Sequence, residues 1–388
     1  MSYLNKKIQT IKPSGIRKFS EMASKIPGVI SLGVGEPDFE TPWHIREEGI
    51  YAIEKSMTYY SPNLGLVELR KEICNYYRRR WNCEYDYSKN CLVTVGASEG
   101  IDLCMRTILD PNDEVIVLHP SYVAYDPCVT LSGGVVKVID LKAENQFKLT
   151  PEMLEAAITD RSKILFLNYP SNPTGGCMSR KDYEKIVPII KKHNLVVLSD
   201  EIYAELSYND DFCSIASFDE IKDQVIVLNG FSKAYSMTGW RLGYILANED
   251  IISAMVKIHQ YTIMCPSTIS QYAGIEAIKN GDKDCVMHKE SFMARRNYLV
   301  NNLNRIGLDC HMPNGAFYVF PSIKKTGMSS EEFCTRLVHE AKVAVVPGND
   351  FGDSGEGHVR ISYAYSIEQI KEAIERIESF LKKIEESA

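Results

Sequence analysis

The sequence lacks most of the patterns that mark secreted, metal-binding and nucleotide-binding folds. Its eleven cysteines are odd in number and scattered, with no C-x-x-C pair. Disulfide scaffolds are short and Cys-dense and zinc sites have tight ligand spacing, so neither is implied and no metal site is expected. Buried, reduced thiols in a cytoplasm are the expectation; a redox-active pair has no motif behind it. The opening stretch MSYLNKKIQTIKPSG has no continuous apolar core, and no run approaches the length of a membrane span. The P-loop pattern G-x-x-x-x-G-K-[ST] is absent, while Gly-Val-Gly-Glu-Pro-Asp (33–38) breaks G-x-G-x-x-G and precedes no helical pattern. Charge of one sign is also missing: 44 Lys and Arg mix with 51 Asp and Glu for a net −7. Nucleic acid and anionic membranes are therefore not expected partners, and any bound anion must be held by a few aimed donors.

No repeat, low-complexity segment or Pro/Gly/Ser-rich linker divides the 388 residues, a length that supports two packed lobes. The middle alternates β-branched runs with helical patterns. Strands are predicted at Leu92–Val95, Glu114–His119, Val135–Ile139, Ile164–Asn168, Val196–Ser199, Val225–Asn229 and Gly243–Ala247, with helices such as Ser98–Ile108 and Arg180–Lys192 between them. Strands buried on both faces and separated by helices predict an α/β fold with a mostly parallel central sheet flanked by helices. Beyond about residue 285 long charged helices take over, with isolated strands at Ala316–Phe320 and His358–Tyr363. The expected division is a large domain of residues 45–285 and a smaller α+β domain of residues 1–44 and 286–388. The last helix, Ile367–Ile384, carries isoleucines and a leucine at coiled-coil-like spacing but is too short for a zipper; packing on its own lobe is expected.

Polar residues follow the strands. Gly-Ala-Ser-Glu-Gly (96–100), Pro-Ser-Tyr (120–122), Tyr-Pro-Ser-Asn-Pro-Thr-Gly-Gly (169–176), Asp200 with Glu201 and Tyr203, and Gly-Phe-Ser-Lys (230–233) each sit at a strand's carboxyl end, where open α/β sheets bind ligands. A lone lysine is usually a solvated charge, but Lys233 lies among small and apolar residues. Desolvation there lowers an ammonium pKa, the condition for an amine that forms imines; a structural ion pair is the bland alternative. Asp200 ends an apolar strand, so it caps the next helix or faces a cation. A protonated pyridine nitrogen is one such cation, and a pyridoxal phosphate site requires that pairing. The turn at Ala97 and Ser98 opens a helix whose free N–H groups suit a phosphate, with Arg241 as its charged partner.

With these residues in hand the chain resembles class I, fold-type I pyridoxal-phosphate-dependent aminotransferases, on the aspartate and aromatic branch. The likeness runs from about Ile16 to the C-terminus. It rests on S-L-G-V-G-E-P-D-F (31–39), Y-S-P-N-L-G-L-V-E-L-R (60–70), N-Y-P-S-N-P-T-G (168–175), S-D-E-I-Y (199–203), the lysine segment (230–243), P-N-G-A-F-Y (313–318) and V-R-I-S-Y-A (359–364), in the family's order. The resemblance implies that Lys233 carries pyridoxal 5′-phosphate as an imine and moves the substrate proton, while Asp200 pairs with the ring nitrogen. It implies that Tyr203 and Asn172 bond the phenolic oxygen and that Tyr122 stacks on the ring. Ala97, Ser98, Ser232 and Arg241 would hold the phosphate, with Tyr60 reaching over from the second subunit of a homodimer. Arg360, helped by Asn172 and the backbone near Gly35, would clamp the substrate α-carboxylate, which a planar guanidinium fork matches. His119-Pro120 and Asn172-Pro173 would be cis. Where many relatives have a phosphate-binding serine three residues before the lysine, this chain has Gly230.

The substrate pair implied is an L-amino acid and a 2-oxo acid such as 2-oxoglutarate. Some relatives place a lysine for a distal carboxylate where this chain has Ser98, and Tyr261–Gln271 contains no Arg or Lys. An aromatic or apolar donor is therefore favoured, with aspartate the alternative. A β-lyase on the same fold shares the cofactor machinery, because the bond broken depends on pocket geometry. A non-catalytic amino-acid sensor needs an additional DNA-binding region for which no residues are spare, and a nicotinamide oxidoreductase lacks its glycine fingerprint.

Overall fold

The local rules of the chain explain most element ends. Ser179 and Asp182 form a reciprocal capping box that opens the helix Arg180–Lys192. Thr150 caps Pro151–Ala157, with proline in the first turn where its missing N–H costs nothing. In this computed structural model every residue is described except Met1, Ser2, Lys12, Ser14, Asp210, Asp211 and Ala388. Its strands, in chain order, are β1 (Ile30–Ser31), β2 (Cys91–Thr94), β3 (Glu114–His119), β4 (Val135–Asp140), β5 (Ser162–Asn168) and β6 (Val196–Asp200). They continue with β7 (Val225–Gly230), β8 (Gly243–Leu246), β9 (Tyr318–Val319), β10 (Val343–Ala344), β11 (Val346–Pro347) and β12 (Val359–Ser362).

Seven of these build the central sheet in the order β2-β8-β7-β6-β5-β3-β4. Neighbours pair in parallel except at β8, which runs against both β2 and β7. Most of these strands are buried along their whole length, and the sheet is covered on its two faces by two separate apolar clusters. A third cluster draws Phe19, Ile30 and Leu32 from the N-terminal part together with residues between Phe292 and Leu381. Around it stand the antiparallel sheet β11-β12-β9 and the parallel pair β1-β10, which joins the two ends of the chain.

The observed strands differ from the predicted ones by one or two residues at their ends. The largest difference is at Ala316–Phe320, where only Tyr318–Val319 is strand. Ala316 takes a left-handed φ of +56° and gives its N–H to Leu206 O, so the preceding chain turns across to another element instead of extending. The last helix runs Ile367–Ser387 and buries Ile370, Ile374, Ile377 and Leu381 in the third cluster, on its own lobe. His119-Pro120 and Asn172-Pro173 are cis, and so is Tyr169-Pro170.

Candidate active site

The carboxyl ends of β2, β3, β5, β6 and β7 open onto one cleft of about 460 Å³, within the roughly 300–1,000 Å³ of small-molecule sites. From the sheet come Ala97, Ser98, Tyr122, Asn172, Asp200, Tyr203, Ser232, Lys233 and Arg241; from the other side come Gly35 and Arg360. Tyr60 does not line it and is 82% exposed.

Lys233 donates to Gly35 O at 2.7 Å rather than to an acid. Burial pushes its amine down to about 8, against the pull of Glu36 and Asp200 and with the help of the Arg360 and Arg241 charges. Asp200, at the end of β6, is buried and pushed up to about 6 by desolvation. Tyr125 Oη donates to it at 2.8 Å and the Ile202 N–H at 3.1 Å, and both favour the carboxylate. The cleft thus holds a free amine and an acid that do not neutralise each other, a pair of titratable groups pushed toward one another's range.

The phosphate side is built from backbone. The helix after β2 begins at Gly96, two residues earlier than predicted, so the amides of Ala97 and Ser98 belong to its first turn and have no intrahelical partners. Arg241 lies over this turn. A Cβ at Gly96 would meet its Nη2 at 2.6 Å, so glycine is what lets the guanidinium approach. Arg241 is itself held at a φ of +51° with Nη1 on Thr238 O at 2.9 Å.

On the opposite wall Arg360 is buried in β12, between the rings of Tyr318 and Phe351 at 4.6 and 4.8 Å. Its Nη1 donates to Asn172 Oδ1 at 2.9 Å and its Nη2 to Gly33 O at 2.6 Å. Its Nε is buried without a partner, and the two acceptors on its Nη atoms are neutral oxygens rather than carboxylates. A buried guanidinium in that state is short of an anion.

Three wall residues were not singled out from the sequence. Tyr125 follows Tyr122 by one helical turn, Tyr318 closes P-N-G-A-F-Y and bonds Tyr203 through their hydroxyls at 2.9 Å, and Glu36 sits inside a quoted motif. Glu36 and Tyr318 lay within the motifs, but the direction of their side chains did not follow from them; Tyr125 lay outside every motif.

The family model for class I and II aminotransferases matches residues 27–377. The chain belongs to this family. This aminotransferase is 49% identical over 382 residues to YugH of Bacillus subtilis (strain 168), itself named only provisionally as an aminotransferase; the match covers 98% of this chain and 99% of that one. A solved aromatic aminotransferase of Pyrococcus horikoshii OT3 superposes with a TM-score of 0.90 at 40% identity, over 94% of this chain and 99% of the other. An aspartate aminotransferase of Thermus thermophilus, solved with maleate, gives 0.93 at 35% identity over 98% and 100%. The fold is therefore fold-type I, and the family's cofactor is pyridoxal 5′-phosphate.

The residues of this aminotransferase fit that cofactor. A doubly charged phosphate suits the helix start beside Arg241, a protonated ring nitrogen suits Asp200, and an aldehyde suits an amine already near neutrality. Gly230, the departure from the family pattern, has a local cause. It lies opposite Gly243 in the β7–β8 pair, and a Cβ there would meet Gly243 Cα and Leu242 O at 3.0 Å.

Proposed function

We propose that this aminotransferase takes the amino group from an aromatic or apolar L-amino acid and passes it, in two half-reactions on one site, to a 2-oxo acid such as 2-oxoglutarate. The observation that carries the substrate reading is the composition of the cleft wall. Its only cations among the described residues are Lys233, Arg241 and Arg360, all with tasks at the cofactor or the α-carboxylate. The remaining wall includes Ile16, Val34, Val123, Ile202 and Tyr318, so no charge awaits a distal carboxylate.

Bound pyridoxal phosphate supplies an electron sink for the substrate's α-carbon. The protein's part is to bind, orient and move protons. Arg360 offers its fork to the α-carboxylate, with Asn172 beside it. Lys233, half deprotonated near pH 8, would take the proton from the substrate's α-carbon and deliver it to C4′ of the cofactor. Asp200 is a carboxylate above about pH 6 and keeps the ring nitrogen protonated, with Tyr125 holding it in that state. Tyr203 and Asn172 serve the phenolic oxygen. The division into lobes of residues 45–285 and 1–44 with 286–388, a homodimer, and a cytoplasmic setting consistent with eleven cysteines outside any disulfide belong to the same proposal.

A panel of amino donors against 2-oxoglutarate, followed by the absorbance of the bound cofactor, tests it. Tyrosine, phenylalanine or leucine should react with a higher kcat/KM than aspartate; a clear preference for aspartate overturns the substrate reading. Ammonia and pyruvate released without a 2-oxo acid would mean a lyase.

A further inference from the structure

Glu99 and His259 form a buried pair behind the phosphate-facing turn. Glu99 stands in the first turn of the helix Gly96–Ile108, next to Ser98. The N-cap residue is Val95, whose side chain caps nothing; its own N–H is taken by Glu99 Oε2 at 2.5 Å. The other oxygen, Oε1, lies 2.6 Å from His259 Nδ1. An ionised carboxylate only accepts, so the imidazole is the donor. His259 is fully buried and its Nε2 has no partner. A buried ring with one unsatisfied nitrogen carries a desolvation cost that an apolar side chain would avoid, so the Glu99 contact is what the residue contributes.

The arrangement has two effects on the cleft. Glu99 does not line it, although Ala97 and Ser98 do. The histidine draws the carboxylate to the buried side, where its charge suits the helix start without facing an incoming phosphate. The pair also ties this turn to a distant segment. His259 stands in the last turn of the helix Glu249–Thr262, and its carbonyl receives the N–H groups of Ile263 and Met264, both at 2.9 Å. Met264 O in turn receives Asn63 Nδ2 at 2.9 Å, and Gln271 accepts the Leu66 N–H at 2.7 Å. The bonds through His259, Met264 and Asn63 thus link the phosphate turn to the stretch that displays Tyr60.

We propose that Glu99 and His259 are positioning residues for the cofactor's phosphate: they fix the turn at Val95–Ser98 and keep the Glu99 charge turned away from it. The proposal rests on the cofactor-binding reading of the cleft. Its test is titration of apoprotein with pyridoxal phosphate and, separately, with pyridoxal, which has the same aldehyde and ring but no phosphate. His259→Leu should weaken the phosphorylated ligand by ~10-fold, the loss of one charge-assisted hydrogen bond, and leave pyridoxal affinity unchanged. Glu99→Gln turns the charge-assisted bond into a neutral one and should weaken the phosphorylated ligand in the same direction but by less, in a nearly isosteric protein that does not depend on the leucine variant folding. His259→Asn places an amide N–H where Nδ1–H was and should restore most of the affinity. Parallel weakening of both ligands, or an asparagine variant no better than leucine, would overturn the proposal. Wild-type protein that fails to take up pyridoxal phosphate sinks the cofactor reading itself, whereas normal uptake with unaltered variants sinks only this inference.

Discussion

The chemistry of the cleft is decided at single residues, and the amine of Lys233 is the most direct place to measure it. With its amine near 8 instead of the ordinary lysine value, Lys233 carries a far larger neutral fraction at pH 7 than a surface lysine, about one in ten. Reductive methylation of apoprotein across a pH series, read by mass spectrometry, should show Lys233 half-reactive near pH 8 while surface lysines lag by about two units. Arg360→Gln removes a positive charge that helps depress the amine, so the midpoint should move upward; an unmoved midpoint would show that the two charges do not feel each other. Lys233, Asp200 and Arg241 were legible as residues of one cleft because they lie next to strand ends that open onto the same side of the sheet. Tyr125 was not legible as the support of Asp200, since a buried tyrosine beside an apolar strand has the same sequence signature as an ordinary core residue.

Elements carry the next layer. The seven strands of the central sheet were readable from apolar runs, but the reversed direction of β8 was not, because periodicity says which face is buried and nothing about polarity of the chain. The β7–β8 pair is also where the missing serine is explained. Gly230→Ser would push a Cβ to 3.0 Å from Gly243 Cα and Leu242 O, both backbone, which would have to shift by a few tenths of an ångström. We expect a loss of about 1–3 kcal/mol of stability, visible as a lower Tm, with no improvement in cofactor affinity. A second element-level contact lies at the start of the helix Trp43–Glu54. There His44 meets Glu276 at 2.7 Å and Asp284 at 3.0 Å, joining three helices. Burial alone would depress this imidazole, but bonds to Asp284 and Glu276 outweigh burial and hold it above the usual value. Its folded pKa thus exceeds the unfolded one. The clasp is fully present below about pH 6.5 and fades as pH rises through the raised folded value. His44→Gln should therefore lower Tm at pH 6 by more than at pH 9. Partial exposure limits the contribution to at most about 1 kcal/mol; equal losses at both pH values would argue against the charge.

At the scale of the whole molecule, the two halves of the chain meet around the cleft. Its second wall comes from the N-terminal loop and the C-terminal sheet, sequence positions more than three hundred residues apart joined by the β1–β10 pair. That wall was foreseen only through motifs, because a buried arginine such as Arg360 gives no periodic signal of what it faces. Tyr60 lies outside the cleft on a surface that also exposes Tyr59, Tyr261, Ile263 and Met264, with Tyr261 86% exposed. These residues are neighbours: Thr268 Oγ1 bonds Tyr59 O at 2.6 Å, and Asn63 bonds Met264 O. An exposed aromatic and apolar set of this kind favours burial against a second copy. Sedimentation velocity should give twice the chain mass, and Tyr261→Asp should yield monomers that bind the cofactor less tightly. Fully active monomers at high dilution would contradict the dimer.

The glycine stretch between positions 33 and 35 has one more consequence. Its main-chain oxygens occupy Arg360 through Gly33 and Lys233 through Gly35. A ligand carboxylate that takes the Gly33 position on Nη2 evicts a neutral oxygen that already satisfies part of the guanidinium. Only an acceptor stronger than a peptide carbonyl gains by the swap, and an ionised carboxylate is roughly twice as strong. We expect an amino acid to bind more tightly than its own amide, and inhibition constants for such a matched pair measure the difference.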